Sequence, residues 1–280
     1  MRTHLFLLSL FFLVSGCAKE APKVKNLEKG SRNFWKGDYF QQECVRPANF
    51  ESGTIKAKVD GKWQVFKVVD LPDDFIIWSV ERRLETLKRV RKNEMPSLSG
   101  PHNGMVASYG ERRKDSQFKI NNAVKGMGFL PKPDKVSELI TLIETTKDSS
   151  DEYKLSVLEN LYKNADIYFT RKGLVSLELY TTPDFETHTF LNEMTNPAVS
   201  IVFLDIPSYE VRAVARLIHP QDLALNEYER SVCKYVNLIH SYFHGDFPRE
   251  FIGVIYYVVE VFDNTPGRGG KGKRVVPPLP

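Results

Sequence analysis

Cysteine is scarce in this chain of 280 residues: there are three, Cys17, Cys44 and Cys233. No two stand in a CxxC spacing, so the thiolate sets that hold structural zinc are excluded. There is no GxSxG elbow, no GxxxxGK[ST] loop, and no glycine-rich dinucleotide loop between a strand and a helix. Hydrolase, P-loop and dinucleotide chemistry therefore lack their signatures. Excess charge of one sign is lacking too, because 39 Lys and Arg face 35 Asp and Glu for a net +4. No apolar run approaches the ~20 residues of a spanning helix, and no internal repeat is found. With 42% hydrophobic and 26% charged residues, the chain has the composition of an ordinary globular protein.

What is present begins at the first residues. Arg2 precedes an apolar stretch from Leu5 to Val14, which ends in Ser15-Gly16-Cys17. A positive residue, a short apolar run and a small-residue site make the layout of a secretory signal. Val14-Ser15-Gly16-Cys17 resembles a bacterial lipobox, which implies cleavage before Cys17 and lipidation of its sulfur. Two or more acyl chains anchor stably where one binds marginally. The expected setting is the bacterial cell envelope, with the outer membrane favoured by Ala18 where an Asp would suggest inner-membrane retention. Export also argues against nucleic acid as a partner.

The expected organisation is a signal peptide over 1–16, a lipidated tether over 17–36 and an N-terminal α+β region over 37–130. A C-terminal domain over 131–263 and a disordered basic tail over 264–280 complete it. Period-two patterns flank Asp60-Gly61, a hairpin signal because Gly supplies the positive φ of a tight turn. A helix follows Asp73-Asp74, with Ile77, Val80, Leu84, Leu87 and Val90 as its apolar stripe. Its Glu81-Arg82-Arg83-Leu84-Glu85 cluster reads as a solvated face. Residues 94–118, rich in Pro and Gly, read as a long loop holding His102. Helices are expected from Asp134 and from Asp151. Arg171-Lys172-Gly173 reads as the turn of a second hairpin. A short helix over 184–194, strands over 199–204 and 209–218, a long helix over 222–244 and a last strand over 252–262 complete the pattern. Strands and helices do not alternate regularly, so the fold class is α+β. Cys44 and Cys233 remain for a disulfide-permissive compartment, with their pairing open.

Residues 177–217 resemble the flavin-binding split-barrel superfamily related to pyridoxamine phosphate oxidase. The resemblance is carried by Glu178-Leu179-Tyr180-Thr181-Thr182-Pro183, by the helix containing Leu191, by Asn196-Pro197-Ala198-Val199 leading into a strand, and by Glu210-Val211-Arg212-Ala213. It implies a split β-barrel-like C-terminal domain with flanking helices, a homodimer, and flavin mononucleotide as cofactor of an oxidoreductase. Thr181, Thr182, His188 and Arg212 are the residues it points to for the cofactor. The family's basic residue in the short helix is replaced here by His188 and Thr189, near Glu186, and Ala213 stands at a family glycine. These departures leave a second reading, a non-enzymatic binding or adhesion lipoprotein that has lost the cofactor. A third is haem or metal handling by His240 and His244, an i, i+4 pair on one helix face.

Overall fold

The structure, a computed structural model, describes residues 33–267 and 272–279. The signal peptide, Cys17 and most of the tether lie outside the described residues. The first ladder pairs β1 (Trp35–Lys36) with β2 (Tyr39–Phe40). The hairpin of β3 (Thr54–Val59) and β4 (Lys62–Lys67) follows, its turn made by Asp60 at φ 50° and Gly61 at φ 77°. That is the left-handed geometry the Asp60-Gly61 pair predicts.

Helix α1 (Asp73–Arg91) starts with two acidic residues in its first turn, which complement the helix dipole. Its buried face matches the predicted stripe only in part: Leu87 is buried and Val80 and Val90 pack against the core, but Ile77 is 55% exposed and Phe75, Ile76, Trp78, Ser79 and Arg83 are buried instead. Phe75 and Trp78 interlock edge-to-face with Phe203, at centroid distances of 5.5 and 5.9 Å. That aromatic contact turns the helix about its axis relative to a purely aliphatic stripe.

One sheet dominates the remainder. Its strands are β5 (Asn103–Tyr109), β6 (Ile120–Gly126), β7 (Gly128–Pro131), β8 (Phe169–Glu178), β9 (Ala198–Phe203), β10 (Tyr209–Ile218), β11 (Ile252–Asp263) and β12 (Lys273–Val276). The order is β6-β5-β9-β10-β11-β8-β7, with β12 added on β11, and every pairing is antiparallel. Five more helices lie between or against these strands: α2 (Val136–Thr146), α3 (Asp151–Lys163), α4 (Ala165–Tyr168), α5 (His188–Thr195) and α6 (Glu227–His244). The fold is α+β, as the order of elements predicts.

The strand order forces curvature. β6 and β7 are the outermost strands, yet only Met127 separates them in sequence. Consecutive Cα atoms are about 3.8 Å apart, so the opposite edges of the sheet must meet at that residue. Lys125 of β6 reaches Glu178 of β8 across the meeting point as an ion pair. Among the described residues no ladder joins β6 to β7 or β8, so the sheet is not a closed barrel; it keeps an open seam.

Three sequence expectations differ from this architecture. The long loop over 94–118 contains β5, whose Gly104 looks like a breaker. A Cβ there would lie 2.7 Å from Ile201 and 2.9 Å from Met127, so the glycine lets the strand pack closely. The second hairpin is absent, because Arg171-Lys172-Gly173 continues within β8. A Cβ on Gly173 would meet Leu130 at 2.8 Å and the Tyr256 carbonyl oxygen at 3.0 Å, so this glycine also serves close approach. In the C-terminal tail, Lys273–Val276 forms β12 on β11.

The sheet also runs across residue 130, since β5 pairs with β9 at Val106↔Ile201. Further upstream, the chain is tied to it by hydrogen bonds from Val69 N to Val258 O and from Leu217 N to Gln42 Oε1. Cys44 and Cys233 are both buried and free, and burial pushes each thiol up to about 12.

Candidate functional site

The four residues indicated by the split-barrel resemblance are not brought together. Thr181 is buried after β8, where its hydroxyl donates to Glu178 at 3.2 Å and accepts from the Thr187 backbone N–H at 3.2 Å. Thr182 Oγ1 accepts from the Phe185 N–H at 3.1 Å. Neither caps the short helix. Thr187 does so, accepting from Phe190 N, and α5 begins at His188. His188 Nε2 lies 3.0 Å from the Glu111 carbonyl oxygen.

Arg212 lies at the other end of the sheet. It pairs with Glu210 at 2.9 Å and Glu260 at 3.4 Å, and its guanidinium covers Phe262 at 4.2 Å. Along β11, the partners of Glu178 and Arg212 are Ile252 and Glu260. That span is roughly 25 Å at strand rise. The two threonines line a cleft of about 360 Å³ together with Asp38, Glu178, Glu250, His219 and Arg249. Three carboxylates and one guanidinium make it a poor seat for a phosphate dianion.

The His240 and His244 rings lie with centroids 5.0 Å apart at a tilt of 44°, and His240 stacks on Phe247 at 4.9 Å. Burial, with His244 alongside, lowers His240 to about 4. Among the described residues there is no cluster of three or more His, Cys, Asp or Glu placed to hold a metal.

The two histidines also line a further site at the open seam. There α1, α3, α6, β8 and the β6–β7 junction enclose a cavity of about 320 Å³. Its wall is largely apolar, with Phe129, Leu158, Leu161, Phe169, Leu177 and Ile239 among the lining side chains. The volume falls at the lower end of the ~300–1,000 Å³ of small-molecule pockets. Exposed Ser97 lies on the rim.

Several polar side chains break the apolar wall: Thr86, Asn103, His240 and His244 line it, as do Arg83, His102 and Ser176. Arg83 is 3% exposed and donates to the carbonyl oxygens of Met127 at 2.8 Å and Pro101 at 3.0 Å, and to Ser79 at 3.4 Å. Its guanidinium also sits 4.8 Å from the Phe129 ring and 5.6 Å from Tyr162. The remaining bond runs from Arg83 Nη1 to His102 Nδ1 at 3.2 Å. A guanidinium only donates, so Nδ1 accepts and the ring proton sits on Nε2. Burial, and then the Arg83 charge, hold His102 well below its usual range, so the ring stays neutral. Its Nε2 and the Ser176 hydroxyl are both sealed from solvent without a hydrogen-bond partner.

These residues were only partly visible in the sequence. Arg83 sat within a charge cluster that reads as solvated, although Ile76, Ser79, Arg83 and Leu87 share i, i+3/i+4 spacing. In the sequence His102 reads only as a loop residue, and Ser176 carries no local signal. No protein-family model matches the chain, and no curated protein or solved structure shows a significant similarity to it.

Proposed function

We propose that this chain is an envelope lipoprotein, anchored through Cys17, whose folded part is a split-barrel-like domain that binds a largely apolar small molecule at its seam. The observation that carries the binding reading is the 320 Å³ apolar cavity with Arg83, His102 and Ser176 in its wall. Pockets of this make-up, apolar with a few convergent polar groups, are the usual form of a ligand site. The barrel-like reading draws support from the Met127 junction between edge strands and from the Lys125–Glu178 contact across the seam. The anchor is supported by the Val14-Ser15-Gly16-Cys17 segment. Among the described residues no helix is long and apolar enough to cross a membrane. Flavin has less support, because Thr181 and Thr182 spend their hydroxyls on Glu178 and on the local backbone, and Arg212 is remote from both.

The anchor is tested by labelled palmitate, which the wild-type chain should incorporate and Cys17→Ser should not. Cavity binding is tested on the full chain in phosphatidylcholine vesicles with a photoreactive diazirine analogue of dodecanol. Cross-links should concentrate on the peptides holding Leu158, Leu161 and Ile239. Ile239→Phe, which fills the space, should remove most of them. Cross-links scattered over the surface, or unchanged by Ile239→Phe, would overturn the reading.

A further inference from the structure

Resting on the cavity as a ligand site, we propose that its ligand is a medium-chain aliphatic monocarboxylate, held head-first by Arg83, His102 and Ser176.

The charge argument comes first. The groups hydrogen-bonded to Arg83 are two carbonyl oxygens, a hydroxyl and a neutral imidazole, none of them an anion. Among the described residues no carboxylate comes within ion-pair distance of it. A buried cation lacking a counter-ion is costly, because desolvation is not offset by a partner charge. A ligand carboxylate in the adjoining cavity would supply that charge.

The hydrogen-bond argument is independent of charge. Four bonds occupy four of the five guanidinium N–H groups, which leaves one on Nη1. The His102 tautomer fixed by Arg83 presents Nε2–H, and Ser176 presents a hydroxyl, both unpartnered and sealed from water. All three can donate, so the complementary head group accepts hydrogen bonds and has none that it must give. An ionised carboxylate is acceptor-only. One buried cation matches a single negative charge better than the −1.5 to −2 of a phosphate monoester.

Size and lining select the rest of the molecule. About 320 Å³ walled by Leu158, Leu161, Ile239 and the rings of Phe129, Tyr162, Phe169 and Tyr235 suits a medium-length aliphatic chain.

The test repeats the vesicle experiment with a diazirine analogue of dodecanoate, competed by unlabelled dodecanoate or dodecanol. Dodecanoate should compete at about tenfold lower concentration, since a hydrogen bond to a charged group contributes ~1.5–3 kcal/mol. Ser176→Ala removes a hydroxyl that bonds to nothing in the protein, so the fold should be unaffected. It should weaken competition by dodecanoate several-fold and leave dodecanol unchanged. Arg83→Met should abolish the preference for the acid. Equal competition by acid and alcohol would overturn the carboxylate proposal and leave the cavity reading standing. Failure of both photoprobes to label the cavity peptides would remove the cavity reading and this proposal together.

Discussion

Two buried arginines make opposite use of the same side chain. Arg216 on β10 faces Glu229 on α6 through two hydrogen bonds of 2.7 and 3.2 Å, both side chains almost wholly enclosed. It also donates to the Gln42 carbonyl oxygen at 3.2 Å. It thereby holds together the sheet, the long helix and the N-terminal segment. Arg83 is equally buried, yet it meets carbonyl oxygens, an imidazole and aromatic faces, and it opens on a cavity. A guanidinium closed by a carboxylate within the chain is a staple. One that lacks that carboxylate beside an apolar space is positioned to receive it from elsewhere.

The largest effect should come from breaking the staple. Arg216→Met leaves Glu229 buried without its partner, which costs ~3–5 kcal/mol by the usual behaviour of such pairs. Denaturant unfolding should show this as a lower midpoint with little change in slope. Adding Glu229→Leu should recover much of the loss, because a buried pair can be replaced by well-packed apolar groups. Arg83→Met is the sharper half of the comparison. It orphans the carbonyl oxygens of Pro101 and Met127 but no charge, so the expected loss is the ~1–3 kcal/mol of unmet polar groups. Equal losses from Arg216→Met and Arg83→Met would erase the distinction between staple and receptor.

Periodicity carried most of the secondary structure. β9, β10 and β11 lie within a residue or two of their predicted bounds, and the β3–β4 turn sits on Asp60-Gly61 as its chemistry requires. What failed was the reading of two glycines. Gly104 and Gly173 look like punctuation in a sequence, but each stands mid-strand where a Cβ would strike a neighbour distant in sequence. Such neighbours, Ile201 for one and Tyr256 for the other, are invisible to a local window. The candidate site was hidden for the same reason. Arg83, His102 and Ser176 come from a helix, the residue preceding a strand, and a strand next to the sheet edge, and only the curl of the sheet assembles them. Thr181 and Thr182, which the resemblance points to for the cofactor, follow the end of β8, but the helix begins after Thr187 and leaves them bonding to their own loop.

A third buried ionisable group refines the comparison at smaller scale. Glu193 on α5 receives the Tyr256 hydroxyl at 3.3 Å on one oxygen, while its other oxygen has no partner. Burial, set against the nearby Lys125 charge, raises its carboxyl to about 8. Folded Glu193 therefore keeps a proton that the unfolded chain releases above about 4.5. Stability from this group is complete below that value and declines as pH rises to about 8. His102, His219, His240 and His244 act with the opposite sign, because each is held below 6.5 and costs stability only as pH falls beneath it. The buried thiols begin to matter only above 9. Between 6.5 and 8 the slope therefore belongs chiefly to Glu193, with a ceiling of ~1.4 kcal/mol per pH unit. The stability read from urea midpoints of the wild type should fall across that window by about 1.6 kcal/mol, since the folded state holds most of one proton that the unfolded chain has released. Glu193→Gln, which imitates the protonated acid, should flatten the profile there and leave the acid limb unchanged. A wild-type profile already flat from 6.5 to 8 would mean that Glu193 is ionised in the fold. Lys125 would then be neutralising Glu193 as well as Glu178, and Arg83 would stand alone as the buried charge lacking an opposite among the described residues.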